Sequence, residues 1–262
     1  MTKLFVVSDV HSFFTPFKKA LDAAGFDHNN TDHWLISCGD LFDRGQESKE
    51  LLHYIMSLER KILVKGNHDI LLDECCMREF PYSHDKHNGT VQTVKDLGCW
   101  NTNQNFAECC INTWNRLAAY RSNLVNYFET KNYIFVHSWL PTKVTYDESA
   151  SKPWHLVGKK YEFMEDWRNA NEVEWEEAMW GNPFDLAERE LNKTGKTVVF
   201  GHWHNSAGWH LKEGLSEFGA DAKWDPYFDT DKKIIGIDRC TAHTGEVNVL
   251  VLEDDFLEHV FK

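Results

Sequence analysis

Short runs of β-branched, aliphatic and aromatic residues recur along the chain, each closing on polar residues. They are Leu4 to Val7, Trp34 to Ile36, Ile62 to Val64, Tyr133 to Val136, Thr197 to Phe200, Ile234 to Ile237 and Val247 to Leu252. Runs of this kind predict buried strands. Between the first two, Thr15-Pro16 reads as an N-cap followed by proline at the first helical position. Phe17, Ala20, Leu21 and Ala24 then follow at helical spacing, ended by Gly25. Leu51, Leu52, Ile55 and Leu58 mark a second helix. This β-α-β-α alternation predicts an α/β fold with helices packed on the faces of a sheet. The stretch from Leu71 to Arg121 lacks strand-like runs and predicts a helical insertion carrying Leu97, Phe106, Trp114 and Leu117. From Lys143 to Gly195 the chain is rich in Glu and Trp and poorly periodic, and no boundary is placed there.

A length of 262 residues with 42% hydrophobic and 26% charged residues suits one large α/β domain, or at most two small ones, and excludes collagen-like, disordered and disulfide-scaffold classes. The net charge of −13 argues against a surface that tracks duplex nucleic acid. Bound divalent cations would offset part of it, and the 14 His with 41 Asp and Glu are a large stock of ligands. The apolar run at the N-terminus is too short for a signal h-region or a membrane span, so a cytoplasmic location is expected. Seven Cys, two pairs of them adjacent (Cys75-Cys76 and Cys109-Cys110), suggest reduced thiols, and no C-x-x-C is present for a zinc site.

The chemistry collects at the strand ends. Asp9 and His11 follow the first strand, and a two-residue step keeps side chains on one face of an extended chain. The second strand runs into Gly39-Asp40-Leu41-Phe42-Asp43-Arg44-Gly45, where Asp40 has two oxygens with which to bridge two cations and Arg44 a planar fork suited to phosphate. The third ends in Gly66-Asn67-His68-Asp69, whose adjacent side chains diverge, so Asn67 can face a metal while His68 faces the reacting group. His137 closes the fourth strand and Gly201-His202-Trp203-His204 the fifth. Each taken alone is better explained as a polar turn or a satisfied rim histidine. Five donor-bearing strand ends in chain order are not, because open α/β sheets place ligand sites beyond the carboxyl ends of their strands.

These blocks, Asp9-x-His11, Gly39-Asp40-x-x-Asp43-Arg44-Gly45, Gly66-Asn67-His68-Asp69, His137 and Gly201-His202-x-His204, resemble the five signature blocks of calcineurin-like metallophosphoesterases, in that family's order. Asn88-Gly89-Thr90 with Thr93, Phe135 to Pro141, Met179 to Pro183 and Gly236-Ile237-Asp238 are similar to the phosphoprotein-phosphatase branch and to symmetric diadenosine tetraphosphatases. The resemblance covers roughly Leu4 to Leu252. It implies two mixed β-sheets sandwiched between helices, as a single domain over residues 1–262 with a cap-like helical insertion at about 71–121. Three positions depart from the branch: His204 where Thr-ended blocks are usual, Arg239-Cys240 in place of Thr-Gly, and Trp139 in place of a small residue. These put pocket shape in doubt, not the metal site.

By the same resemblance a first metal takes Asp9, His11, Asp40 and His204, and a second takes Asp40, Asn67, His137 and His202. Mixed oxygen and nitrogen donors favour Mn, with Fe or Zn as alternatives, over Mg or Ca. The resemblance implies direct attack by a metal-bridging hydroxide, with His68, oriented by Asp69 or another nearby carboxylate, protonating the leaving alkoxide. Asn67, His68 and Arg44 would contact substrate; a second phosphate-binding arginine is open among Arg168, Arg189 and Arg239. The leading expectation is a phosphomonoesterase acting like a Ser/Thr protein phosphatase on a phosphorylated protein or nucleotide, with no membrane, duplex or protein partner indicated. Alternatives are hydrolysis of dinucleoside polyphosphates, phosphodiester or cyclic-nucleotide cleavage, and a metal-binding interaction protein with decayed catalytic machinery. Trp139 and Trp203, each next to a candidate ligand, are expected either to line the cleft or to brace the imidazoles by packing.

Overall fold

The computed structural model describes residues 2–146 and 159–256. Part of the 143–195 stretch, from 147 to 158, therefore lies outside the described residues, as do residue 1 and the last six.

Five strands form a first mixed sheet: β1 (Thr2–Val7), β2 (His33–Ser37), β3 (Lys61–Val64), β4 (Leu124–Val125) and, at the far edge, β12 (Leu250–Asp254). Its order is β12-β1-β2-β3-β4, with only β12 antiparallel to its neighbour. A second mixed sheet holds β5 (Phe128–Glu129), β6 (Tyr133–Phe135), β9 (Thr197–Phe200), β10 (Tyr227–Asp229) and β11 (Ile234–Gly236) in the order β10-β11-β9-β6-β5. β7 (Thr142–Tyr146) and β8 (Lys159–Phe163) pair separately.

The strands read as unbroken apolar runs because both of their faces are covered. Leu4 and Val6 of β1 join Ile36, Phe135, Val199 and Ile235 in a core between the two sheets. Their neighbours Phe5 and Val7 join Phe17, Leu35, Leu51 and Leu63 in an outer core under helices α1 (Phe14–Ala23) and α2 (Ser48–Ser57). On the second sheet Ile134, Val198 and Phe200 pack outward against Trp139, Trp167, Trp175 and Phe184. Each such side chain contributes about 1.5–3 kcal/mol when fully buried, so these positions are not free for a ligand. Along the strands that carry them, polar side chains gather where the strands stop.

Helix α1 starts at Phe14, two residues before the sequence places it, and Thr15 is not its cap. Instead the Thr15 amide donates to the Glu47 carboxylate at 3.0 Å. The helical stretch expected at 71–121 begins at the site itself: α3 (Asn67–Arg78), α4 (Ser83–Asn88), α5 (Thr90–Gly98), α6 (Phe106–Arg116) and α7 (Ala118–Arg121). Leu72, Cys75, Val94, Leu97, Cys110 and Tyr120 from these helices belong to the same outer core as β1 and β2, so the segment is a layer of the fold as well as a flank of the cleft. The expectation of reduced thiols fails at one pair. Cys99 and Cys109 are joined, with Cα atoms 4.9 Å apart, because α6 packs back on the end of α5. Cys38, Cys75, Cys76 and Cys110 are free and buried. Among the described residues no helix is long and apolar enough to cross a membrane.

Candidate metal centre

The parallel ladder between β1 and β2 continues past the strand ends. Asp9 N donates to Gly39 O (3.2 Å), His11 N to Asp40 O (3.0 Å) and Ser12 N to Leu41 O (2.7 Å). The second sheet is tied on by Gly201 N to His137 O (2.8 Å) and by His202 N to Asp9 Oδ2 (2.8 Å). Two loops from each sheet thus meet at one seam.

The seam is conformationally expensive. Asp9, His11, Ser12, Asp40, Asp43, Arg44 and His202 all have positive φ, between 51° and 75°. Non-glycine residues held there cost on the order of 1–3 kcal/mol each and cluster at functional sites. Gly39, at φ 96°, lies against His137 and Gly66, where a Cβ would sit 2.5 Å from the His137 ring.

Asp40 lies at the middle of the cluster. Its Oδ2 is 3.4 Å from His137 Nε2, 3.9 Å from His11 Nε2 and 4.0 Å from His68 Nε2. His11 Nε2 is also 3.8 Å from Asp9 Oδ1. Asn67 Oδ1 is 2.7 Å from His137 Nε2 and 3.0 Å from His202 Nδ1. Asp9, His11, Asp40, Asn67, His68 and His137 are all buried. Ligand atoms of His11, Asp40 and His68, and of Asp40, His137 and His202, fall into two groups sharing Asp40, each compact enough to hold one ion.

The donor set fits cations. His137 Nδ1 donates to Cys38 O (2.8 Å) and His11 Nδ1 to Phe42 O (2.9 Å). Those bonds fix the tautomers, so each Nε2 brings a lone pair to a place already occupied by carboxylate and amide oxygens. Acceptors aimed at acceptors are stabilised by a metal ion. The electrostatics agree: burial followed by His137 pushes the His202 pKa down to about 3, keeping the ring neutral, as a metal ligand would have to be. Burial works to raise Asp40, but His137, His68, His11 and His202 outweigh it and hold the carboxyl well below its ordinary range. Burial raises Asp9 above its usual range despite His137.

Two expected roles fall elsewhere. Asp69 does not face His68: its Oδ2 accepts from Gly66 N (2.8 Å), closing the first turn of α3, and its Oδ1 accepts from Tyr120 OH (2.8 Å). The carboxylate on His68 is Asp43, whose Oδ2 lies 2.8 Å from Nδ1. The opposite ring nitrogen, Nε2, faces Arg44 Nη2 at 3.3 Å. His204 does not join the cluster either. The left-handed turn at His202 breaks the two-residue alternation and sends the chain into a helix over Asn205–Glu213, so His204 Nε2 pairs with Glu217 Oε1 at 2.7 Å.

Of the arginines left open, Arg168 is held by both oxygens of Glu129, and Arg239 by Glu246, Asp225 and Asn248. Arg189 lies 5.6 Å from the Tyr161 ring. Arg44 is the arginine at the site. Trp139 is buried and packs on Phe200 as part of the outer core, while half-buried Trp203 stacks on His204 at 6.0 Å. Missed in the sequence is Trp180, half-exposed and edge-on to His202 at 6.4 Å. Its place directly before Gly181-Asn182-Pro183 was the only available signal.

The sequence profile of the calcineurin-like phosphoesterases matches residues 2–206. The chain belongs to the calcineurin-like phosphoesterase family. It is 41% identical over 69 residues to a symmetrical bis(5'-nucleosyl)-tetraphosphatase of Glaesserella parasuis, covering 26% of this chain and 25% of that protein. It is 28% identical over 148 residues to the protein of that name from Coxiella burnetii, covering 55% of this chain and 44% of the other. The chain thus spans well under two thirds of the curated relatives it matches. A cold-active protein-tyrosine phosphatase from a Shewanella species shares the fold, with a TM-score of 0.51 and 13% identity over 97% of this chain and 76% of that one.

Proposed function

We propose that this phosphoesterase hydrolyses phosphomonoesters with two bound metal ions. The observation that carries the reading is Asp40, placed between two ligand groups, with a His68–Asp43 pair and Arg44 on the same side. Asp9, His11 and Asp40 would hold one ion, and Asp40, Asn67, His137 and His202 the other. Such a pair supplies Lewis acidity and an activated water for in-line displacement at phosphorus.

The chain's own groups do the remainder. Arg44 is exposed at the rim, and its planar fork can take two oxygens of a terminal phosphate dianion. His68 holds a proton for the leaving oxygen. Burial opposes charging this ring, but Asp40 and the Asp43 hydrogen bond outweigh it and raise its pKa, as an acid working near neutrality requires. Asp43 keeps Nδ1 occupied, so the transferable proton is at Nε2, the atom facing the cluster.

A specific observation favours a second reading, dinucleoside polyphosphate hydrolysis. The exposed Trp180 beside His202, with the exposed Phe218 against His204, offers flat faces on which a nucleobase can stack. The curated relatives carry that activity in their names. A Mn²⁺-supplemented panel of a phosphoserine peptide, diadenosine tetraphosphate, a cyclic mononucleotide and an aryl phosphodiester separates the readings. Phosphoserine turned over fastest supports the first and the tetraphosphate the second; cleavage confined to the diesters sinks both.

A further inference from the structure

The Asn88-Gly89-Thr90 block, with Thr93, contributes no metal ligand, yet it grips the loop that carries Asp43 and Arg44. Asn88 O accepts from Arg44 N at 3.2 Å, and Gly89 packs directly on the Arg44 backbone. Thr93 Oγ1 accepts from Asp43 N at 3.1 Å. Thr90 Oγ1 donates to Asp43 Oδ2 at 2.6 Å. That oxygen is the one that accepts from His68 Nδ1, while Asp43 Oδ1 is buried without a hydrogen-bond partner. Asp43 and Thr90 are both fully buried, so no water competes for the carboxylate.

A carboxylate free to rotate about its terminal torsion presents either oxygen. Here two donors converge on one oxygen and none on the other, so the rotation is set jointly by His68 and Thr90. Nδ1 keeps its proton when Nε2 gives one up, so both bonds persist through the transfer, and Thr90 is the donor that holds the carboxylate from outside the His68 ring. We infer that Thr90 is a positioning residue for proton delivery: through Asp43 it fixes the His68 ring so that Nε2 addresses the leaving oxygen. This rests on the reading of His68 as the proton donor.

The role makes a demand that a merely structural hydroxyl does not. When the P–O bond breaks, an alkyl leaving group departs as a strongly basic alkoxide that needs the Nε2 proton, whereas p-nitrophenolate leaves stably without it. Thr90→Val removes the donor and keeps the branched shape. The expected result in the Mn²⁺-loaded full chain is a fall in kcat of about tenfold on a phosphoserine peptide and of less than about twofold on p-nitrophenyl phosphate, with KM little changed. Thr90→Ser, which restores the hydroxyl, should recover most of the loss. Partial unfolding of the valine variant would lower both rates by one factor, so the ratio between the esters is the readout.

Equal losses on the two esters, or no loss on either, overturns the inference. His68→Asn run alongside distinguishes its failure from that of the underlying reading. If that variant too slows both esters alike, His68 is not the donor and Thr90 has nothing to position.

Discussion

His137 and His202 turn ring nitrogens toward each other, Nε2 to Nδ1, 3.1 Å apart, and Asn67 Oδ1 lies within 3.0 Å of both. With His137 Nδ1 donating to Cys38 O, a lone pair on Nε2 is left at this meeting point, where a cation would take it together with the Asn67 oxygen. Metal that binds only the folded chain stabilises it by mass action, by about 2.7 kcal/mol at a hundredfold excess over Kd. Adding Mn²⁺ to chelator-treated protein should therefore raise Tm by roughly 5–10 °C, and His137→Ala should abolish most of that rise. A metal-independent Tm in calorimetry would remove the case for a metal centre.

Asp40 is the side chain common to both ligand groups, and an amide in its place has one oxygen to offer instead of two. Asp40→Asn keeps the shape and an acceptor for the His68 amide, which Asp40 Oδ1 now receives at 3.0 Å. Elemental analysis should show the stoichiometry falling from two ions per chain to one or none. Two ions retained at full occupancy would mean that Asp40 is not a bridge.

His68 belongs to the cluster by distance but is engaged otherwise, by Asp43 on one nitrogen and Arg44 beside the other. Replacing it with Asn should lower turnover of alkyl phosphates by around 10²-fold or more while leaving metal content nearly unchanged. Loss of metal together with activity would reassign it as a ligand.

Those three side chains were legible in sequence because strands buried on both faces leave only their ends for polar residues, and an apolar run that stops at Asp, Asn or His marks the place. The geometry beyond the strand was not. Asp43 rather than Asp69 orients His68 because Asp43 and Arg44 are left-handed and are held so from across the fold by Asn88, Gly89 and Thr93. Asp69, one residue from His68, faces the opposite way because the chain has already become helix α3. His204 was misplaced for a related reason: alternation holds in extended chain and ends at the φ of 64° in His202. The Cys99–Cys109 link needed the packing of α6 on α5, which no spacing rule supplies.

Arg44 stands exposed at the rim while Arg168 and Arg239 are held by carboxylates elsewhere. If it grips a terminal dianion, Arg44→Ala should cost monoesters more than diesters, by about tenfold in kcat/KM, because a diester presents one charge fewer to a charge-assisted bond. Equal losses on bis-p-nitrophenyl phosphate and p-nitrophenyl phosphate would remove the preference for a monoester substrate.

Asp69 carries a pH signature of its own. Burial pushes its pKa up to about 7 from the ordinary 3.8, against the Gly66 amide and Tyr120 hydroxyl, which favour the charged form. The folded state then binds more protons than the unfolded state across that interval, so stability is greatest at the acid end and declines as pH rises toward 7. Well above pH 7 both states are ionised and the contribution is flat. In chelator-treated protein, urea unfolding at pH 5 and pH 7 should show the wild type losing on the order of 2 kcal/mol more than Asp69→Asn over this window. The variant pays a constant cost for its buried amide at both pH values, so the difference in slope, and not the absolute stability, carries the result. A slope that the substitution leaves unchanged would mean that Asp69 is ionised throughout, with its two hydrogen bonds outweighing its burial.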